Sequence, residues 1–140
     1  MTDLHPLVRF DDDFHVQQCQ QQVQQLLQQQ LTEFELKITK LNSFDSALFV
    51  EVVDAQKMLV KIRDCLAPFQ VEIAALDYCP HITLGLYRDH FSSNEILAKI
   101  KHYPSKEHRL QVQHLSFGYY QAQHLQGPLQ VIQQVDLSAE

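Results

Sequence analysis

"CPHITLGLY", residues Cys79–Tyr87, is the stretch on which the reading of the fold turns. Side chains alternate across a strand with period two. Ile82, Leu84 and Leu86 are therefore expected on one face, and His81, Thr83, Gly85 and Tyr87 on the other. The first set is core material. The second places an imidazole beside a hydroxyl, with a glycine that leaves room for something to approach the backbone.

Working outward, the segment on its N-terminal side, "VEIAAL" (71–76), reads as another strand. Ahead of that, Ala55, Met58, Leu59, Ile62, Cys65 and Leu66 keep helical spacing, and Pro68 ends the stripe. On the C-terminal side, Ser92 and Glu95 stand at capping-box spacing before Ile96, Leu97 and Ile100. That helix stops before Pro104. "RLQVQHLSFGYY" (109–120) follows as a strand segment, and "GPLQVIQQVDL" (127–137) as an edge strand with Pro128 at its start. Near the N-terminus, Val16, Cys19, Val23, Leu26, Leu27 and Leu31 mark one face of a helix whose other face is glutamine, with Asp13 as its N-cap. "FELKITKL" and "ALFVEVV" are strands after it. The pattern is α+β: antiparallel-rich sheet with helices against it.

Composition sets limits on what such a domain does. At 140 residues the chain is expected to be one domain with a real core. A net charge of −6 argues against a broad nucleic-acid-coating surface, though not against a nucleotide or RNA end held in a cleft. No apolar run reaches bilayer length, and "MTDLHPLVRF" lacks a signal-peptide core, so no membrane partner and a cytoplasmic location are expected. Three widely spaced cysteines form no disulfide framework, and Cys19 and Cys65 fall on apolar helix faces as packing residues. His15, His90, His102, His108 and His124 show no metal-ligand spacing, so neither metal nor cofactor is expected.

A gapless internal match pairs "ELKITKLNSF" (35–44) with "RLQVQHLSFG" (109–118). Each follows a helix at a similar distance, and "LHPLVRF" and "PHITLGLY" lie in matching places upstream, setting His5 opposite His81. Two similar lobes would then each offer one histidine from one strand. A pair of imidazoles across a groove carries out acid–base chemistry unaided, because each titrates near working pH. A hydroxyl two residues on points the same way and donates to a phosphate oxygen where charge develops.

With those residues in view, "PHITLGLY" resembles the second signature of the two-histidine phosphoesterases, the superfamily of the 2'-5' RNA ligase-like proteins and cyclic phosphodiesterases. The resemblance implies two lobes of antiparallel-rich sheet with outer helices and a groove lined by two histidine-x-threonine/serine motifs. By that resemblance His81 is a catalytic histidine and Thr83 a phosphate ligand. His5, 76 positions earlier in "HPLVRF", stands for the first motif. The implied partner is a nucleotide or RNA end bearing a 2',3'-cyclic phosphate or a 2'-5' linkage. Tyr87 and Arg88 follow the motif as further substrate-binding residues, stacking a base or holding phosphate.

The chain departs from the pattern twice. Leu7 stands where the family has threonine or serine. Only four residues precede His5, whereas the second motif has a strand and helix ahead of it. Residues 1–46 are thus expected to form a shortened first lobe and 47–140 the second. An incomplete lobe leaves a sheet edge or apolar patch for which pairing into a homodimer is the remedy. Two alternatives to the enzyme follow: an inactive relative that binds a nucleotide or RNA end, and an interaction module presenting the glutamine-faced helix. "HLS" at His114–Ser116 also fits the motif. It lies only 33 residues after His81, and His114 is expected to share a strand face with Leu110 and Val112 in a structural role.

Overall fold

The computed structural model describes residues 16–69, 78–121, 123 and 127–138. Asp13, His5, Leu7 and the expected strand at 71–76 lie outside them. The described elements are α1 (Val16–Gln28), β1 (Phe34–Ser43), β2 (Ala47–Val53), α2 (Met58–Leu66), β3 (His81–Leu86), α3 (Ser93–Ile100), β4 (His108–Val112), β5 (His114–Tyr119) and β6 (Gln130–Asp136). Their pairing gives one four-stranded sheet in the order β3-β2-β1-β4 and one two-stranded sheet, β5-β6. Helices with antiparallel sheets make the chain α+β, as its periodicities imply.

The chain divides into two compact units, interleaved in sequence. The first holds α1, α2, β5 and β6. Its core consists of Cys19, Leu26, Leu31, Phe34, Ile62, Val135 and Leu137, all buried. Each such aliphatic side chain contributes about 1.5–3 kcal/mol when removed from water. The glutamine-rich stretch is therefore a helix because its apolar positions keep time. Gln22 Nε2 donates to the Leu66 carbonyl at 3.3 Å, satisfying one of the carbonyls left open at the end of α2. Leu27, on the expected apolar stripe, is exposed. Burial lifts the thiol pKa values of Cys19 and Cys65 above the ordinary range, as suits packing residues.

In this unit β5 and β6 pair antiparallel, with a bulge between Phe117 and Gly118. A Cβ on Gly118 would stand 2.8 Å from the Gln130 carbonyl oxygen, a backbone atom that cannot swing aside. Gly118→Ala is expected to destabilise by about 1–3 kcal/mol, the usual cost of forcing volume into a filled site. Denaturant unfolding checks this, and a loss below a few tenths of a kcal/mol would show that the bulge opens freely.

The second unit holds β1 from Glu35 onward, β2, β3, α3 and β4 through Gln111. Ser92 caps α3, its Oγ accepting from the Glu95 N–H at 3.2 Å, as its capping-box spacing implies. The groove beneath α3 is lined by Leu41, Leu48, Ile96 and Ile100. One face of the sheet therefore looks toward the helix.

Two expectations are corrected here. First, "RLQVQHLSFGYY" is not one strand: it breaks at Gln113, and β4 and β5 belong to different sheets. His114 consequently shares no strand with Leu110 and Val112, but lies exposed on β5 opposite Asp136. The apolar alternation shifts by one residue at the break, from Leu110 and Val112 to Leu115, Phe117 and Tyr119, as a change of sheet between β4 and β5 allows. Second, Ile82, Leu84 and Leu86 are not core: they are 39%, 55% and 41% exposed. Among the described residues β3 pairs with β2 alone, so its apolar residues lack the flanking strand a central position would give.

Candidate active site

The alternation expected along residues 81–87 is interrupted by a bulge. His81, Ile82 and Thr83 oppose Glu51, Val50 and Phe49, after which Gly85 opposes Leu48 and Leu86 opposes Ala47, leaving Leu84 as the additional residue. Residues directly opposite in an antiparallel pair share a face. His81 and Thr83 therefore share one with Glu51 and Phe49, away from α3, and Asn42 joins them through its pairing with Phe49. Beyond the bulge the parity changes. Gly85 goes with Leu48 to the helix side, and Tyr87 lines the groove beneath α3 with Leu41 and Leu48.

The structure thus brings two of the sequence-derived site residues together and sends a third elsewhere. His81 and Thr83 lie two positions apart on one strand, about 6.6 Å along it at the usual rise per residue. Both are exposed. The Tyr87 hydroxyl instead lies 2.6 Å from Ser43 Oγ on the helix side, with its ring edge-on to Phe91. Arg88 is exposed in the bend after β3. Gly85 has no atom within 4 Å of where a Cβ would stand, so the space read from its lack of a side chain is open.

His81 is held by contacts that sequence reading did not identify. Its Nδ1 lies 2.6 Å from the Cys79 carbonyl oxygen. A carbonyl only accepts, so Nδ1 carries the proton and donates. In the neutral ring Nε2 is then left with its lone pair, the form a general base needs. The imidazole also meets Phe44 edge-on at 5.0 Å and Phe49 at 5.3 Å between ring centres. Those two phenyl rings stack on each other at 4.1 Å. Such aromatic pairs are worth about 0.5–1.5 kcal/mol each beyond their burial. Phe49 is 2% exposed, so the platform beneath the imidazole is firm.

Beside the imidazole, Glu51 is engaged through both carboxylate oxygens. Asn42 Nδ2 donates to Oε1 at 2.7 Å, and Lys40 Nζ lies 3.9 Å from Oε2. The strand alternation of "ALFVEVV" puts Phe49 and Glu51 on one face, but only the register with β3 makes that face the one of His81. Phe44 carried no such signal, because it lies in the turn between β1 and β2.

Among the described residues no group of three or more histidine, cysteine or carboxylate side chains is arranged to hold a metal ion. Nor is any helix of the described residues long and apolar enough to cross a membrane. No curated protein matches the chain. A family model described as the 2'-5' RNA ligase superfamily does, over residues 2–124, a span that takes in His5 as well as β3. The imidazole and hydroxyl on β3 thus lie within a match covering most of the 140 residues, and the chain belongs to the 2'-5' RNA ligase superfamily.

Proposed function

We propose that this protein is a metal-independent phosphoesterase acting on 2',3'-cyclic phosphate or 2'-5' linkages of RNA or nucleotides. The observation that carries the reading is the hydrogen bond from His81 Nδ1 to the Cys79 carbonyl, with Thr83 on the same exposed face. In hydrolysis of a cyclic phosphate, His81 Nε2 takes a proton from the attacking water as its oxygen bonds to phosphorus. One phosphorus–ribose oxygen bond breaks, and the departing oxygen receives a proton from the imidazolium of His5. The Thr83 hydroxyl donates to a non-bridging oxygen as its charge rises. The product is a phosphate monoester, and the two histidines exchange protonation states, to be reset by solvent. Incubation of the full chain with nucleoside 2',3'-cyclic phosphates, an RNA ending in a 2',3'-cyclic phosphate and a 2'-5'-linked oligonucleotide, followed by separation of the products, tests the activity; absence of turnover of all three would overturn it.

Leu7 favours a second reading: a relative that holds the same phosphate but turns it over poorly, one hydroxyl of the pattern being absent. Binding of a 2',3'-cyclic nucleotide without turnover distinguishes the two. The reading also includes a homodimer, supported by the exposed Ile82, Leu84 and Leu86 of β3, which among the described residues pairs with β2 alone. Light scattering should then give twice the 16.3 kDa chain mass, and a concentration-independent monomer would exclude it. A cytoplasmic setting suits the three free cysteines.

A further inference from the structure

Two cavities adjoin on the helix side of the sheet in the second unit, the side away from His81 and Thr83. The larger, about 660 Å³, is the groove beneath α3, where Leu41 and Leu48 of the sheet meet Phe91, Ile96 and Ile100. The smaller, about 440 Å³, opens between β1, the C-terminal end of α3 and the loop that follows. Leu41, Ile100 and Tyr103 line both. Each volume falls in the usual range of small-molecule sites.

The two linings differ in kind. The groove is open and apolar because α3 contributes no buried residue: Ile96 and Ile100 line it without closing on the sheet, and Phe91 is exposed. Protein interiors pack to the density of organic crystals, so an apolar space of this size is one that a ligand can fill. The smaller cavity is basic. In a chain of net charge −6 its lining holds Lys40, Lys101, Lys106 and His108 and no carboxylate. Neighbouring acids are engaged elsewhere: Glu107 pairs with Lys37 at 3.7 Å, and Glu35 with Arg109 at 3.8 Å. Lys40 also lies 3.9 Å from Glu51, an exposed pairing of little strength. Glu95, in the lining of the groove, stands in the first turn of α3, about 7.5 Å of helix before Ile100. Tyr103, common to both spaces, offers a ring to one and a hydroxyl to the other.

We infer that the two cavities form a single binding site for an anionic amphiphile, a molecule with one alkyl chain and a phosphate head. An apolar slot that ends among lysines is complementary to a molecule built the same way. Neither a bare anion nor an uncharged hydrocarbon uses both halves. Leu41, Leu48, Phe91 and Ile96 take the chain, and Lys101, Lys106 and His108 take the head. Several cationic groups around one space suit a phosphate, which carries nearly two charges at neutral pH. The site is independent of the chemistry proposed at His81, which faces the other way.

Calorimetric titration of the full chain with octyl, decyl and dodecyl phosphate, each below its aggregation concentration, tests the site. A buried methylene adds about fourfold in affinity, so each step of two should gain roughly 15-fold. Dodecyltrimethylammonium has the same chain with the opposite charge, and should bind at least about a hundredfold more weakly than dodecyl phosphate. Lys101→Ala with Lys106→Ala should weaken all three phosphates alike and keep the dependence on chain length. Phe91→Ala should weaken dodecyl phosphate more than octyl phosphate. Coincident unfolding midpoints show that the variants are folded, and the chain-length series itself needs no variant. Affinity that is independent of chain length, inorganic phosphate that binds as tightly as dodecyl phosphate, or a double lysine variant that binds like its parent overturns the site. So does binding to phosphatidate-containing vesicles with none to the dispersed amphiphile, the mark of a membrane-docking face instead.

Discussion

His81→Ala should lower turnover of nucleoside 2',3'-cyclic phosphates by at least about a hundredfold, and by up to about ten-thousandfold, the usual range for a positioned acid–base group. The fold should survive. The ring is exposed and its losses are confined to one hydrogen bond and two edge-on aromatic contacts, together about 1–3 kcal/mol. His81→Gln is the sharper variant, because an amide keeps a donor for the Cys79 carbonyl but supplies no base at the Nε2 position. It should retain most of the stability and little of the rate. Steady-state rates read beside urea midpoints separate the two effects. Unaltered turnover in either variant would remove the catalytic role.

Phe49→Ala should be the most costly single change for stability in the second unit, about 3–5 kcal/mol. Phe49 is 2% exposed, stacks on Phe44 at 4.1 Å and supports the imidazole at 5.3 Å. Against a total of about 5–15 kcal/mol for a typical domain, that loss is a large fraction. A kinetic effect should accompany it, since an imidazole without its platform samples orientations in which Nε2 misses the phosphate. Phe49→Leu fills much of the volume but has no ring for the imidazole edge. It should cost about 1–2 kcal/mol while still lowering kcat, which separates support of the ring from bulk. An unfolding free energy within about 0.5 kcal/mol of the parent for Phe49→Ala would show that the stack contributes little.

The aromatic platform also shows where sequence reading reached its limit. That β3 exists, that it begins at His81, and that His81 and Thr83 share a face all followed from period two over three residues. Tyr87 lies only four residues further, yet the bulge at Leu84 reverses parity between them and puts its hydroxyl on Ser43. One additional residue sends every later side chain to the opposite face. No local pattern announces it, because Thr83, Leu84 and Gly85 are compatible with either register. The break at Gln113, by contrast, leaves a local trace: the apolar positions move from Leu110 and Val112 to Leu115, Phe117 and Tyr119, one residue out of step, where the chain changes sheet.

The amino-acid sequence alone determined the α+β class, the three helices with the Ser92 cap, and the pairing of imidazole and hydroxyl on β3. These depend on spacing over a few residues, where backbone geometry leaves little choice. Tertiary structure alone decided which stretches share a compact unit, that β3 pairs with β2 alone among the described strands, which aromatic rings hold His81, and that scattered lysines from β1 and the loop after α3 line one cavity. Such properties arise from contacts between residues far apart in the chain, and those contacts are set by strand register and packing.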